Sequence, residues 1–104
     1  MKILFDQGTP LPLKRNLSKH SVGTAFERGW STLTNGDLLA KAEQEFDLFI
    51  TTDQNLKYQQ NLKARRIAIL VLPTTNWPKI QSHTAEIEAA IERIRPGDYV
   101  AMAW

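Results

Sequence analysis

The sequence predicts an α/β fold: a single-domain, doubly wound, mainly parallel five-stranded sheet flanked by helices. Three observations carry that expectation. Strand-like and helix-like segments alternate five times with short connections, which is how successive βαβ units wind. The run from Ile67 to Leu72 is apolar throughout, as a central parallel strand must be when helices cover both faces. Two further runs, an apolar one through Ile3, Leu4 and Phe5 and one from Phe46 to Ile50 that is apolar apart from Asp47, end in aspartate: Asp6 directly, Asp53 after Thr51 and Thr52.

Taken in order, residues 2–5 read as a short buried strand. Thr9 and Pro10 then open a helix over about 10–19, proline costing nothing in a first turn whose backbone donors have no partners. Residues 21–26, small and β-branched, read as the second strand, and 28–34 with Gly29 as loop. Thr34, Asn35, Gly36 and Asp37 open a helix whose Leu38, Leu39, Ala42 and Phe46 recur at helical spacing. Strand returns over 47–52. Residues 54–62 are polar apart from the anchors Leu56 and Leu62, the pattern of a short surface helix. The strand 67–72 stops at Pro73. Over 78–95 one face carries Ile80, Ile87, Ile91 and Ile94, a single amphipathic helix ended by Pro96 and Gly97, and 99–104 reads as the last strand.

A chain of 104 residues holds one core, so 1–104 is expected to be one domain. With 42% hydrophobic residues it can fill that core without staples, and the absence of cysteine excludes disulfides, thiolate zinc sites and cysteine nucleophiles. The longest apolar run is far short of the roughly 20 residues of a membrane span, and the amino terminus has no signal-peptide core. A soluble, cytoplasmic protein with no membrane partner is the expectation. A net charge of +2 permits a polyanionic partner. The cations gather locally, Lys14, Arg15 and Lys19 in one segment and Lys57, Lys63, Arg65 and Arg66 in another. Of these, Lys14, Arg15, Lys57, Arg65 and Arg66 are the candidate phosphate contacts.

In doubly wound sheets ligands collect outside the carboxyl ends of the strands, where the winding reverses, and Asp6 and Asp53 both emerge on that edge. Two carboxylates about 4 Å apart repel by on the order of 4 kcal/mol at an effective dielectric near 20, so such a pair calls for a proton, a basic side chain or a cation. Mg²⁺ suits it, since it takes oxygen ligands and keeps several waters. Asp37 can reach the same edge, and Asn55 offers a neutral oxygen. Structural roles compete: Asp37 follows Thr34 by three residues, near a capping box, and Asp53 can cap the turns after it. His20 and His83 have no partner spacing, and Trp30, Trp77 and Trp104 are too scattered for a stacking platform, so packing roles are expected for all five.

The first strand ending in Asp6 with Gln7 and Pro10, the helix start at Asp37 with Leu38, Leu39 and Ala42, and the stretch Phe49-Ile50-Thr51-Thr52-Asp53-Gln54-Asn55-Leu56 resemble the small stand-alone PIN-like domains, in order and spacing over nearly the whole chain. The resemblance implies a metal-dependent ribonuclease, in many members the toxin of a toxin–antitoxin pair, with an acidic cluster for Mg²⁺ or Mn²⁺. It makes Asp6, Asp37 and Asp53 the catalytic acids and metal ligands, joined by Asn55 and supported by Thr51 and Gln7. RNA is the implied partner, with an antitoxin protein and a second copy of the chain as further ones. Two departures stand out: Gln7 where such proteins often carry an acid, and Asn55-Leu56 where an aspartate often precedes an aromatic; fewer acids imply weaker metal binding. Two alternatives accompany this expectation. One is a non-catalytic PIN-like module that binds protein. The other is a receiver-like phospho-acceptor domain, matched by Asp6, Asp53 and Thr74 but lacking a lysine over 98–104.

Overall fold

The computed structural model describes residues 1–59 and 65–104, so the expected helix anchor Leu62 and the cation Lys63 lie outside the described residues. Five strands form one all-parallel sheet in the order β2-β1-β3-β4-β5: β1 Lys2–Phe5, β2 Ser21–Thr24, β3 Leu48–Thr51, β4 Ala68–Val71 and β5 Tyr99–Ala101. The sheet is thus an α/β doubly wound type, as the alternating pattern predicts. Chain order reverses between β1 and β3, because β2 lies on one side of β1 while β3, β4 and β5 follow on the other. The three central strands are almost wholly buried, whereas β2 and β5, with one neighbour each, are partly exposed.

Alternation along each strand splits the core into two layers. Ile3, Phe5, Leu48, Ile50, Leu70 and Leu72 face a layer completed by Leu13, Leu17, Ile80, Ile87 and Ile91. Leu4, Phe49, Ile69 and Val71 face the opposite layer, with Leu38, Leu39, Ala42 and Leu56. The first layer is covered by the segment Leu11–Leu17 and the helices α3 (Trp77–Gln81) and α4 (Thr84–Arg93), the second by α1 (Asn35–Ala42) and α2 (Leu56–Gln59). The β1–β2 and β4–β5 crossovers therefore share a face while running in opposite directions across the sheet. They have opposite hands, and one breaks the usual right-handed rule.

Local chemistry explains where the elements depart from the periodicity. Leu11–Leu17 is a 3₁₀ helix and not the expected α-helix over 10–19. Pro10 is the N-cap and Pro12 lies in the first turn, where no backbone donor is lost, so the prolines do not cause the change; the segment buries Leu13 and Leu17 in the layer it shares with α3 and α4. The single helix expected over 78–95 is two. Ser82 Oγ donates to the Lys79 carbonyl at 2.8 Å and Thr84 Oγ1 to the Gln81 carbonyl at 3.3 Å, competing with the backbone ladder where α3 gives way to α4. Helix α1 ends at Ala42, although the Phe46 N–H still bonds the Ala42 carbonyl at 2.8 Å and its ring is buried. Strand β2 stops at Thr24, two residues early, since Thr24 and Glu27 close a turn through paired 3.0 Å bonds. The last strand ends at Ala101.

Candidate functional site

Asp6 stands at the carboxyl end of β1, its N–H still bonded to the Ile50 carbonyl of β3 at 2.9 Å. The same carbonyl accepts the buried Thr9 hydroxyl at 2.9 Å, so the loop after β1 folds back over the end of β3. Gly8 lies so close to that loop's neighbour that a Cβ built on it would stand 2.6 Å from Thr52 Oγ1. A side chain at position 8 would require the Thr52 hydroxyl to turn aside or the two loops to move.

Thr51, fully buried at the end of β3, connects the two acids. Its hydroxyl donates to Asp6 Oδ2 at 2.7 Å and accepts the Asp53 N–H at 3.0 Å. Asp6 Oδ1 accepts the Gln7 N–H at 2.7 Å. Asp53 Oδ1 accepts the Asn55 N–H at 2.9 Å, an Asx turn leading into α2, and Asp53 Oδ2 accepts Asn35 Nδ2 at 3.3 Å from the first turn of α1. Gln54 pins the loop to β4 by donating to the carbonyls of Leu72 at 2.6 Å and Thr52 at 3.0 Å. Each acid is thereby aimed by a partner on a neighbouring element.

The structure brings Asp6, Thr51, Asp53, Gln7 and Asn55 to one edge, the last two through their backbone donors. Asp37, in the first turn of α1, is exposed, and its N–H donates to the Thr34 hydroxyl at 3.3 Å, which is the cap that its spacing from Thr34 foreshadows. Among the described residues no group of three or more acidic or histidine side chains stands where it could hold a metal ion. Lys14 and Arg15 are exposed on the 3₁₀ segment and Lys57 is exposed on α2. Arg65 and Arg66 precede β4 and so lie at the amino end of that strand, across the sheet from Asp6. Arg65 is further committed to α1, reaching Glu43 Oε1 and the Gly36 carbonyl, each at 3.4 Å. Sequence reasoning missed Asn35, Thr9 and Gln54, whose bonds cross between elements and leave no periodic mark. Gly8 beside Thr9 was the one available sign of a close approach.

A PIN-like site implies Mg²⁺ or Mn²⁺, and the donors suit such an ion in part. A carboxylate has about four acceptor positions, and chain donors take two on each of Asp6 and Asp53, leaving capacity for a hydrated hard cation. His20 and His83 stand apart from this edge; His83 stacks on Trp104 with ring centroids 4.4 Å apart and pairs with Glu86 at 2.9 Å. Trp30 packs edge-on against Phe46, with Arg28 over both rings. No helix among the described residues is long and apolar enough to cross a membrane. Comparison with protein-family models, curated proteins and solved structures returned no match.

Proposed function

We propose that the chain is a metal-dependent endoribonuclease of PIN-like type that cuts RNA at the carboxyl ends of β1 and β3. The observation that carries the proposal is the chain of hydrogen bonds from Asp6 through buried Thr51 to Asp53, set where the strand order reverses. A bound Mg²⁺ or Mn²⁺ would supply an activated water for in-line attack on the phosphodiester and stabilise the leaving oxygen. Asp6 and Asp53 would hold it, with Asn35 and Asn55 beside them. Thr51 ties the Asp6 carboxylate to the backbone of Asp53, which limits the reorganisation needed when substrate arrives. Lys14, Arg15 and Lys57, on segments that leave the same edge, hold backbone phosphates. The toxin role and an antitoxin partner extend this proposal on the resemblance alone.

The test is incubation of nuclease-free protein with RNA in Mn²⁺ and in EDTA. Fragments are expected only with metal, and both Asp6→Asn and Asp53→Asn are expected to abolish them. Intact RNA after incubation with folded wild type and Mn²⁺ overturns the assignment and favours the protein-binding module, for which the chain donors already seated on both acids also speak. The strand order β2-β1-β3-β4-β5 is that of the receiver-like alternative, but a receiver's right-handed crossovers put β4–β5 on the face opposite β1–β2, and here the two share a face. Against it, 98–104 holds no lysine; labelling of Asp53 by a small phosphodonor would revive it.

A further inference from the structure

Phe26 is 75% exposed in the turn after β2 and Leu11 is 57% exposed at the start of the 3₁₀ segment, the two most exposed large apolar side chains described. Both line one open cleft of about 320 Å³ whose wall includes Asp6 and Glu27. Leu11 also lines the adjoining depression that holds Lys14 and Arg15. An acid and two apolar side chains therefore share one cleft, and the second of these, Leu11, leads on to a pair of cations. That sequence of chemistries matches a strand whose flat, apolar bases alternate with anionic phosphates, and it matches neither a bare phosphate nor a uniformly apolar peptide.

We propose that Phe26 is a stacking platform for one unpaired RNA base, with Leu11 opposite and Lys14 and Arg15 on the adjoining phosphates; this deepens, and rests on, the ribonuclease assignment above. An aromatic face accepts any base, and it can do so only when the base is withdrawn from a helical stack. Glu27, whose Oε1 accepts the Thr24 hydroxyl at 3.0 Å, sits beside the ring and repels phosphate, which orients the base inward and the backbone toward the cations. Phe26 thus positions substrate across Asp6 and takes no part in bond breaking. Its exposure means that the fold does not depend on it.

Binding of a short fluorescein-labelled single-stranded RNA, and of the same sequence as a duplex, is measured by anisotropy in EDTA so that nothing is cut. Phe26→Ala is expected to weaken single-strand binding by about tenfold or more, leaving duplex binding and the melting temperature unchanged. Phe26→Trp is expected to retain affinity, and its added indole emission to be quenched by the single strand. Wild-type affinity in Phe26→Ala overturns the proposal and leaves the cleft to a protein partner; absence of single-strand binding by wild type overturns it as well. The two assignments separate cleanly. Cutting by Phe26→Ala at wild-type kcat and KM refutes stacking and leaves the nuclease standing. Phe26-dependent binding without cutting in Mn²⁺ keeps the platform and refutes the nuclease.

Discussion

Thr51 and Asp6, 45 residues apart in sequence, are joined by a 2.7 Å hydrogen bond from a fully buried hydroxyl to a partly buried carboxylate. Because the same hydroxyl accepts the Asp53 N–H, the orientation of one acid and the backbone of the other depend on a single oxygen. Thr51→Val keeps the shape and the strand preference while removing both bonds. The expected cost is about 1–3 kcal/mol, read by urea denaturation, because an acceptor and a donor lose their partner at a buried site. Thr51→Ser should recover most of it. Equal stability of valine and wild type would show that the hydroxyl is not what fixes the acids.

Asp6→Asn separates metal capture from folding. Both carboxylate oxygens accept a hydrogen bond, Oδ1 from the Gln7 N–H and Oδ2 from Thr51, whereas an amide presents one acceptor and one donor. The variant should lose roughly 1 kcal/mol of apo stability and all metal-dependent cleavage. A destabilised variant that cuts RNA at the parental rate would end the mechanism.

Divalent metal should stabilise the wild type, since an ion held by the folded acids acts on the native state alone. At tenfold over its dissociation constant it adds about 1.4 kcal/mol, or roughly 5–10 °C in Tm for a domain of this size. The shift should vanish in Asp53→Asn. A melting curve unmoved by Mg²⁺ and Mn²⁺ counts against the site.

Gly8→Ala places a methyl group 2.6 Å from Thr52 Oγ1, so the Thr52 hydroxyl must turn aside or one of the two loops at the carboxyl edge must move. A loss of about 1 kcal/mol or less is expected, because a threonine hydroxyl can take another staggered position. Adding Thr52→Ala should relieve it, because the next atom, Thr52 Cβ, lies at 3.9 Å. Additive losses in the double-mutant cycle would place the strain elsewhere.

RNA affinity should fall with rising salt as phosphate contacts release counterions. Lys14→Ala and Arg15→Ala should each reduce the slope of log affinity against log salt by about 0.7, the value for single strands. Arg66→Ala, at the far end of the sheet, should leave it unchanged. A slope that responds to Arg66 and ignores Lys14 would move the RNA track to the opposite edge.

Sequence alone determined the parallel sheet, its central strands and the emergence of Asp6 and Asp53 on one edge, because burial on both faces writes continuous apolar runs and a parallel strand must deliver its last residue to the same side as its neighbours. Even the Thr34 cap at Asp37 was legible, being local in the chain. Tertiary structure decided the rest. It turned the proline-bearing segment into a 3₁₀ helix, split the last long helix at Ser82 and His83, and sent the β4–β5 crossover over the same face as β1–β2. It also set Thr51 between the acids, brought Asn35 to Asp53, and carried Arg65 and Arg66 away from them. Periodicity reports which face of an element is buried, and it is silent about which distant residue a buried hydroxyl or amide will meet. Those meetings depend on strand order and on the direction each connection takes, neither of which is written in the spacing of apolar residues.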